Sequence, residues 1–431
     1  MLKKTRDIIT IGFALFAMFF GAGNLLLPPF IGLQVGDHVW VTILAFGLTG
    51  IMLPFFGILS IVNSGDSFND LGSRVNKTIA PVLGSVIMLC IGPMIAIPRT
   101  AATTFEVGIL PNFPGSNPVW TSIAFFGLTW LLTISPSKVV DIIGNVLTPV
   151  LLVLLLGLIG IGIFNPIADY SGESLNAGES FTLGFTEGYQ TLDVLASVIF
   201  AGIIIAAART KGYSTMKAKN QVVIAAGLLA AICLFLIYGG LIQLGATSGI
   251  HDLAIKRSEL LIHISKAILG HYGMIAIALS IALACLTTAI ALTSAVGTFF
   301  SQLTKQKLSY QVLVTACCVV SCLLSITGVD NIISFAYPIL IFVYPIVITL
   351  VLYIVLFGAF VKHKLPYVGA LIASSIIAGL NLCKYLGVLH ADSLAILNKI
   401  PFFAYELGWV VPSFIFFLIF LAIDKALEKK S

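Results

Sequence analysis

The chain has 431 residues, 59% of them hydrophobic and only 10% charged, with a formal net charge of +5. Its mean hydropathy is +1.08. A soluble domain of this length cannot bury so much apolar surface, so the composition predicts an all-α polytopic membrane protein surrounded by the lipid bilayer. The positive charge therefore gives no reason to expect a nucleic-acid partner. The first apolar run is too long for a signal peptide, which predicts a first membrane helix.

A helix needs about 20 apolar residues to cross a hydrocarbon core of roughly 30 Å. On this criterion the sequence predicts about twelve membrane spans and no separate soluble domain. Their approximate ranges are 8–32, 39–63, 79–109, 119–135, 141–164, 188–208, 219–246, 272–302, 310–327, 331–360, 366–388 and 406–424. Prolines predict kinks or tilts in the third span, at Pro93 and Pro98, and in the tenth, at Pro338 and Pro345.

Charged residues between the spans predict the orientation of the chain, because basic residues concentrate in cytoplasmic loops. If the N-terminus is cytoplasmic, the loops and tails on that side hold most of the basic residues: Lys3, Lys4, Arg6, Arg74, Lys77, Lys138, Arg209, Lys211, Lys217, Lys219, Lys305, Lys307, Lys362, Lys364, Lys425, Lys429 and Lys430. The long loop 165–188 on the opposite side has no basic residue and carries Asp169, Glu173, Glu179 and Glu187. We therefore expect both termini in the cytoplasm.

Catalysis has little basis in this sequence. No HExxH, GxSxG, Walker A or strand-linked GxGxxG motif occurs, and no pair of acids lies beside a histidine in a span. Cys317, Cys318 and Cys322 lack an adjacent histidine or acid, which favours packing over metal binding. We therefore expect neither enzyme activity nor a cofactor.

The stretch FALFAMFFGAGNLLLPPF, from Phe13 to Phe30, predicts an interrupted helix rather than a uniform span. Gly21 and Gly23 flank one alanine, and each glycine costs roughly 1 kcal/mol relative to alanine inside a helix. A break at this depth is tolerated where the freed backbone lines a cavity or binds a ligand. The alternative is that the glycines only allow another helix to pack closely.

A break here would free two sets of backbone groups with opposite polarity. Amides at the start of the second half would attract a carboxylate, because they form the positive end of a helix dipole. These are the amides of Ala22, Gly23 and Asn24. Carbonyl oxygens at the end of the first half, with the Asn24 amide oxygen, would suit a monovalent cation. These are the carbonyls of Ala17, Phe19 and Phe20.

We expect a second break in the sixth span, within residues 196–202, where Ser197, Phe200 and Gly202 would contribute to a substrate site. Asp193 lies just before this segment, and an acid within a membrane span is a candidate functional residue. The alternative for Asp193 is an acid at a helix start near the membrane surface.

Thr287 and Thr288 lie near the centre of the eighth span, where their hydroxyl groups would complete the oxygen shell of a cation beside the first break. The alternative is that each hydroxyl bonds to a carbonyl of its own helix. Thr293 and Ser294 form a second, weaker candidate pair.

Arg99 and Glu106 lie seven residues apart in the third span, on roughly one helix face. A buried arginine is costly unless it is paired. We therefore expect Arg99 to act as a gate or a structural ion pair, with Glu106 or Asp193 as its partner.

Four stretches together resemble the bacterial branched-chain amino acid:cation symporters, the BrnQ-type carriers. They are FALFAMFFGAGNLLLPP, IGPMIAIPRTAATTFEVGI (Ile91–Ile109), LACLTTAIALTSA (Leu283–Ala295) and FAYPILIFVYPIVI (Phe335–Ile348). The resemblance covers the whole chain and includes the span count. It implies symport of leucine, isoleucine and valine into the cell across the bacterial inner membrane, coupled to Na+ or H+.

The resemblance also implies the LeuT-like fold, with a 5+5 inverted repeat followed by two C-terminal helices in one transporter domain, 1–431. Repeat one would cover about 8–164, repeat two about 188–360, and the extra helices about 366–424.

Within that fold, Gly21-Ala22-Gly23-Asn24 resembles the G-x-G-N pattern at the break of the first helix. By resemblance, the amides of Ala22 and Gly23 would bind the substrate carboxylate. The implied ligands of a sodium ion are the carbonyls of Ala17 and Phe20 and the hydroxyls of Thr287 and Thr288. Asn24 and the Phe19 carbonyl match a second sodium site, whose other ligands have no match in this sequence.

Some proton-coupled relatives of this fold have a lysine in the fifth helix, where this chain has only Asp141 and Asn145 as polar candidates. This difference favours Na+ as the coupling ion, with H+ as the alternative. The other functional alternatives are a carrier for a different small neutral amino acid, or an uncoupled channel or receptor. A channel would show rings of polar or charged pore residues, and the spans contain none. The sequence makes no prediction of oligomeric state.

Overall fold

The structure, a computed structural model, describes residues 2–65, 79–135, 143–170, 175–403 and 407–428. Some of the charged residues used to predict orientation and ion coupling lie outside these ranges: Arg74, Lys77, Lys138, Asp141, Glu173, Lys429 and Lys430. Within the described ranges the regular secondary structure is helical, without a β-strand. This confirms the all-α class.

The helices follow one another with short connections. In chain order they are α1 (Leu2–Phe19), α2 (Ala22–Val35), α3 (Val39–Gly47), α4 (Leu53–Ser64), α5 (Ile79–Leu89), α6 (Ala96–Thr103), α7 (Pro118–Thr133), α8 (Thr148–Phe164), α9 (Ala177–Glu187), α10 (Asp193–Thr210), α11 (Met216–Ala246), α12 (Arg257–Leu303), α13 (Tyr310–Ser325), α14 (Val329–Phe357), α15 (Leu365–Tyr385), α16 (Ala391–Leu397) and α17 (Val410–Glu428). Wider π-helical segments occupy Leu48–Met52, Cys90–Met94, Thr104–Ile109 and Ile143–Leu147, and 3-10 turns occupy Gly36–His38 and Gly188–Thr191.

In the described part of the chain, 8 helical segments are long and apolar enough to cross a membrane. They are Ala22–Ser64, Pro81–Ile109, Asp193–Thr210, Met216–Ala246, Tyr272–Leu303, Val329–Phe357, Leu365–Tyr385 and Val410–Leu427. Three further helices, α7, α8 and α13, are apolar but shorter. The chain is therefore a multi-pass membrane protein, and the count of about twelve spans stays a prediction.

The first predicted span consists of two helices, because α1 ends at Phe19 and α2 begins at Ala22. The long helix α11 packs along both halves. Glycines bring the backbones together: a Cβ on Gly32 would overlap the Ile242 carbonyl oxygen, and one on Gly245 would overlap that of Pro29. This close contact with α11 holds the two halves in place on either side of the break.

The sixth predicted span, 188–208, is interrupted near its start, and the helix before the interruption, α9, lies ahead of the predicted range. The break is not where we expected it. The prediction of unwinding within residues 196–202 is wrong, because α10 is a continuous helix from Asp193 to Thr210. The interruption lies at Leu192, between the 3-10 turn Gly188–Thr191 and α10, and α9 forms the first half. The second predicted span runs along both halves, with α3 against α9 and α4 against α10.

Other irregularities divide the remaining long segments. The third span departs from helical geometry at Gly92, with φ −89° and ψ −127°, just before Pro93, as the predicted kink requires. In contrast, α14 continues as one helix through Pro338 and Pro345. A positive φ of 59° at Gly270 separates the first part of α12 from its membrane-length part.

Candidate functional site

The break in the first span leaves backbone groups unpaired inside the bundle. The Phe20 amide still donates to the Phe16 carbonyl oxygen over 2.8 Å, so α1 ends regularly. Gly21 is extended, with φ −111° and ψ −164°, and α2 then begins without a side-chain cap. The first amides of α2 have no carbonyl one turn earlier, so they form the positive end of its dipole. Gly21, Ala22 and Asn24 line a small buried cavity, which we call the site cavity.

The break in the sixth span opens into the same cavity. Leu192 has φ 67° and ψ 5°, a left-handed conformation that costs a non-glycine residue roughly 1–2 kcal/mol. Thr191, Leu192 and Asp193 all line the site cavity. Leu192 itself could not be identified in the sequence analysis, since the residue is not a glycine. Two interrupted helices nevertheless meet at one point, as the predicted binding site requires.

A buried hydrogen-bond network joins the two breaks. Asn24 Nδ2 donates to Asp193 Oδ2 over 2.6 Å, and it also lies within hydrogen-bond distance of the Tyr238 hydroxyl oxygen. The Tyr238 hydroxyl donates to Asp193 Oδ2 over 3.2 Å. Asp193 is only 2% exposed, and these donors stabilise its carboxylate. Sequence reasoning missed Tyr238, although a single phenol within an apolar span needs a partner and was a usable signal.

Oxygen atoms from α1 and α12 gather next to the first break. The Thr287 hydroxyl contacts the Ala17 carbonyl oxygen at 3.0 Å, and the Thr288 hydroxyl lies 3.3 Å from the carbonyl oxygens of both Ala17 and Met18. Gly21 is adjacent, since a Cβ there would lie 3.0 Å from Thr288 Oγ1. These carbonyl and hydroxyl oxygens are hard ligands of the kind that fit Na+.

The other predicted ion ligands are Phe19, Phe20 and Asn24, which lie at or beside the first helix break. Phe20 is the residue of the break next to Gly21, and its ring stacks on Tyr238 with centroids 6.0 Å apart. Phe19 lines the site cavity with Asn24, whose amide group donates to Asp193 and Tyr238.

The alternative pair of hydroxyl groups, on Thr293 and Ser294, lies outside the site cavity. The Tyr310 hydroxyl donates to Ser294 Oγ over 3.1 Å. Thr293 Oγ1 is buried and has no hydrogen-bond partner within the described residues.

Arg99 carries a buried positive charge beside the first helix break. Its side chain is 8% exposed, and Nε has no hydrogen-bond partner in the described ranges. The guanidinium group lies against Gly23, where a Cβ would be 2.7 Å from Nη2. The expected ion pair with Glu106 is not formed, because Glu106 Oε1 instead accepts from the Val329 amide over 2.9 Å. Asp193 lines the same cavity, so its charge stabilises the guanidinium group across that space.

Arg99 separates two cavities. It lines the site cavity, of about 20 Å³, and a second cavity of about 180 Å³, which we call the vestibule. The vestibule is lined on its other sides by Glu106, Gln190, Arg257 and Asp330, among others. This position is consistent with the predicted gate, although the partner is not Glu106.

Because the break in the sixth span lies at Leu192, only one of the three residues predicted from this span lines the site cavity. Phe200 lines the site cavity and packs edge-on against Phe19, with ring centroids 5.4 Å apart. Ser197 faces away: its hydroxyl donates to the Val194 carbonyl oxygen over 2.7 Å and lies against Gly57 of α4. Gly202 lies almost three turns beyond the break in regular helix and does not line the cavity.

Comparison with known proteins identifies the family. The model of the branched-chain amino acid transport protein family matches residues 4–427. This chain belongs to that family. It is 35% identical to the branched-chain amino acid permease BraB of Bacillus subtilis (strain 168) over 419 residues, covering 95% of this chain and 94% of BraB. It is 34% identical to the branched-chain amino acid transport system 2 carrier protein of Pseudomonas aeruginosa (strain PAO1), covering 99% and 98%.

The fold of this family member matches solved transporter structures. Mhp1, a nucleobase-cation-symport-1 family transporter in a closed conformation with bromovinylhydantoin bound, aligns with a TM-score of 0.61 at 12% identity. The alignment covers 98% of this chain and 93% of Mhp1. The match confirms the LeuT-like transporter fold, while the boundaries of the two repeats stay a prediction.

Proposed function

We propose that this protein is a secondary active symporter that imports leucine, isoleucine and valine across the bacterial plasma membrane, coupled to Na+, by alternating access. Relatives named as branched-chain amino acid permeases support the substrate class. The observation that carries the proposal is the meeting of two helix breaks and the buried Arg99 around one cavity. The proposed activity is transport without catalysis.

The substrate carboxylate would bind where two sources of positive charge converge. Free amides of Ala22 and Gly23 start α2, and the Arg99 guanidinium group lies directly against Gly23. Arginine matches a carboxylate with two parallel hydrogen bonds, which would satisfy its buried donors. An arriving carboxylate thus explains both the broken helix and the cost of burying Arg99.

The rest of the substrate would occupy the opposite side of the site cavity. Its ammonium group would bind the Asp193 carboxylate and the carbonyl groups near Leu192, where the sixth span is interrupted. Its branched side chain would pack against apolar residues of the lining, including Ile91, Phe200 and Leu292. An uncharged side chain needs no counter-ion, in agreement with the apolar character of this wall.

We propose that Na+ binds the oxygen cluster, with the Ala17 carbonyl and the Thr287 and Thr288 hydroxyls as ligands. The Phe20 carbonyl is the further proposed ligand, and Asn24 and Phe19 are candidates for a second ion. The cluster is next to Gly21, which also lines the substrate cavity. An ion at this position would hold α1 against α12 and fix the break in the conformation that binds substrate. Ion and substrate would then stabilise one state, which is the thermodynamic basis of coupling.

The size of the site cavity supports a carrier that opens and closes. Its volume of about 20 Å³ accommodates about one water molecule, so an amino acid enters only after the surrounding helices move apart. The vestibule leads to it through Arg99. We propose that movement at the two breaks opens the cavity alternately toward each side of the membrane.

Proton coupling is the second candidate, and Asp193 is the observation that favours it. This buried carboxyl group links both broken helices and faces the proposed substrate. Protonation would remove the charge that strengthens its bonds from Asn24 and Tyr238, which would alter the site.

The decisive experiment is leucine uptake into proteoliposomes in which the Na+ and pH gradients are varied independently. The proposal predicts saturable accumulation driven by an inward Na+ gradient at equal pH. Accumulation driven only by a pH gradient would establish the proton alternative. Flux that does not saturate and shows no counterflow would indicate a channel, and competition by other neutral amino acids would define a different substrate.

We propose the bacterial inner membrane as the location, with both termini cytoplasmic. The distribution of basic residues supports this orientation. Reporter fusions at each terminus test it, since a phosphatase that is active only outside the cytoplasm should stay inactive at both positions.

A further inference from the structure

A third cavity lies apart from the proposed transport site, between α9, α14, α15 and the start of α17. Its volume is about 270 Å³, near the lower end of the roughly 300–1,000 Å³ range of small-molecule sites. We call it the side cavity, and the lining residues that matter are Glu187, Gln190, Ile348, Asn381 and Trp409. None of them belongs to the oxygen cluster or to the lining of the site cavity.

Two polar side chains of the side cavity, Asn381 and Trp409, are buried without a hydrogen-bond partner among the described residues. Asn381 is 3% exposed, and neither its Nδ2 nor its Oδ1 has a hydrogen bond to the described residues. Trp409 is also 3% exposed, and its indole Nε1 has no acceptor within the described ranges. Each such group costs about 1–3 kcal/mol when it is left unsatisfied. Two unsatisfied side chains at one cavity therefore indicate that a ligand supplies the missing bonds.

The chemistry of the lining selects the kind of ligand. Asn381 and Trp409 present donors that suit a carboxylate, whereas Glu187 presents a carboxylate that suits an ammonium group. Between these polar groups, Leu340, Ile341 and Ile348 provide an apolar wall. The set matches a zwitterion with an aliphatic side chain better than it matches a lipid tail or a simple ion.

The side cavity adjoins the route proposed for the substrate. Gln190 lines both the side cavity and the vestibule. Glu187 of the side cavity pairs with Arg257 of the vestibule, with Oε2 and Nη2 3.8 Å apart. An amino acid in the vestibule would therefore reach the side cavity by passing this ion pair.

We propose that the side cavity is a second binding site for a neutral aliphatic amino acid, separate from the site at the helix breaks. Its occupant would contact Tyr189 and Gln190, in the 3-10 turn that precedes the break at Leu192. Binding there would thus influence the broken helix from outside the transport site. The ligand class rests on the proposed function, since the amino acid is the expected substrate.

The test is the number of leucine molecules bound by the purified full chain, measured with radiolabelled L-leucine by equilibrium dialysis. The native protein should bind two per chain. Trp409→Phe, which removes the indole N–H but keeps an aromatic ring, and Asn381→Leu should each reduce this to one. Trp120→Phe, at a tryptophan that is 71% exposed, is the matched control and should leave two.

The two proposals fail in different ways. Gly23→Val should abolish binding of the leucine molecule at the helix breaks and leave leucine binding in the side cavity intact. If the native protein instead binds one leucine per chain, and this binding is abolished by Gly23→Val and unchanged in Trp409→Phe, the second site alone is overturned. If Trp409→Phe and Asn381→Leu each still bind two leucine molecules per chain, the second site does not lie in the side cavity. No leucine binding to native protein would overturn the proposed function together with this inference.

Discussion

Asn24 Nδ2 donates to Asp193 Oδ2 over 2.6 Å, so the residue just after the first helix break is bonded to the residue just after the second. Asn24 is the third residue of α2, and Asp193 is the first residue of α10. A change in the relative position of the two half-helices must therefore lengthen or break this bond. The pair links the geometry of the substrate site to the state of both broken spans.

The first prediction concerns this link. Asn24→Leu removes both hydrogen bonds of the amide group and leaves Asp193 with Tyr238 as its remaining side-chain donor at that oxygen. Depriving a buried carboxylate of a donor costs roughly 1–3 kcal/mol, so initial leucine uptake should fall about ten- to a hundredfold. Asn112→Leu is the control, because the Asn112 amide group bonds locally, to the carbonyl of Gly108 four residues earlier. Uptake at the native rate in Asn24→Leu would contradict the role of the link.

The two helix breaks differ in how well the sequence predicts them. The first was predictable because Gly21 and Gly23 weaken the helix at a depth where no loop is expected. The second occurs at Leu192, whose left-handed backbone has no signature in its side chain. Thr191 and Asp193 were the available signal, since a hydroxyl and an acid two residues apart are typical of a helix start. The aliphatic residues around them concealed that signal within an apparently uniform span.

The hydrogen-bond and ion-pair partners of buried polar groups were also not predictable from the sequence. The positions of Thr287 and Thr288 in the middle of an apolar helix were sufficient to identify them as candidates. Arg99 was also recognisable, but helical spacing alone suggested Glu106 as its partner. That acid bonds instead to the Val329 amide, from a segment more than two hundred residues away. Such a contact depends on tertiary packing, which periodicity does not contain.

The second prediction concerns the ion. Thr288→Ala removes one oxygen from the cluster beside Gly21. The Na+ concentration for half-maximal leucine uptake should rise about tenfold, which corresponds to a loss of roughly 1.4 kcal/mol in ion binding. Thr298→Ala on the same helix is the control, because Thr298 bonds only to the Ser294 carbonyl. Identical Na+ dependence of native protein and Thr288→Ala would exclude Thr288 as a ligand.

The third prediction concerns the carboxylate site. Gly23→Ala would place a Cβ 2.7 Å from Arg99 Nη2, so the guanidinium group must move while the backbone stays in place. The KM for leucine should rise about tenfold, and Arg99→Lys should have a similar effect because lysine lacks the planar pair of donors. Since both changes disturb one interaction, the double variant should show less than the sum of the two effects.

A suitable control for the glycine substitution is Gly127→Ala, at a position where a Cβ meets no other atom within 4 Å. It should leave the KM unchanged. Strict additivity of Gly23→Ala and Arg99→Lys in the logarithm of the KM would show that the two residues act separately and would contradict a shared carboxylate site.

The fourth prediction tests the backbone at Leu192. Alanine is normally more stable than glycine within regular structure, but a left-handed residue reverses this order because only glycine adopts it without cost. Leu192→Gly should therefore melt at a higher temperature than Leu192→Ala, by the equivalent of about 1 kcal/mol. At Ala196, one turn into α10, replacement by glycine should instead lower the melting temperature. Both comparisons are measured by thermal unfolding in detergent, which is monitored as the loss of the monodisperse peak in size-exclusion chromatography. If Leu192→Ala proves the more stable of the pair, the second break does not lie at this residue, and the two interrupted helices do not meet at Asp193.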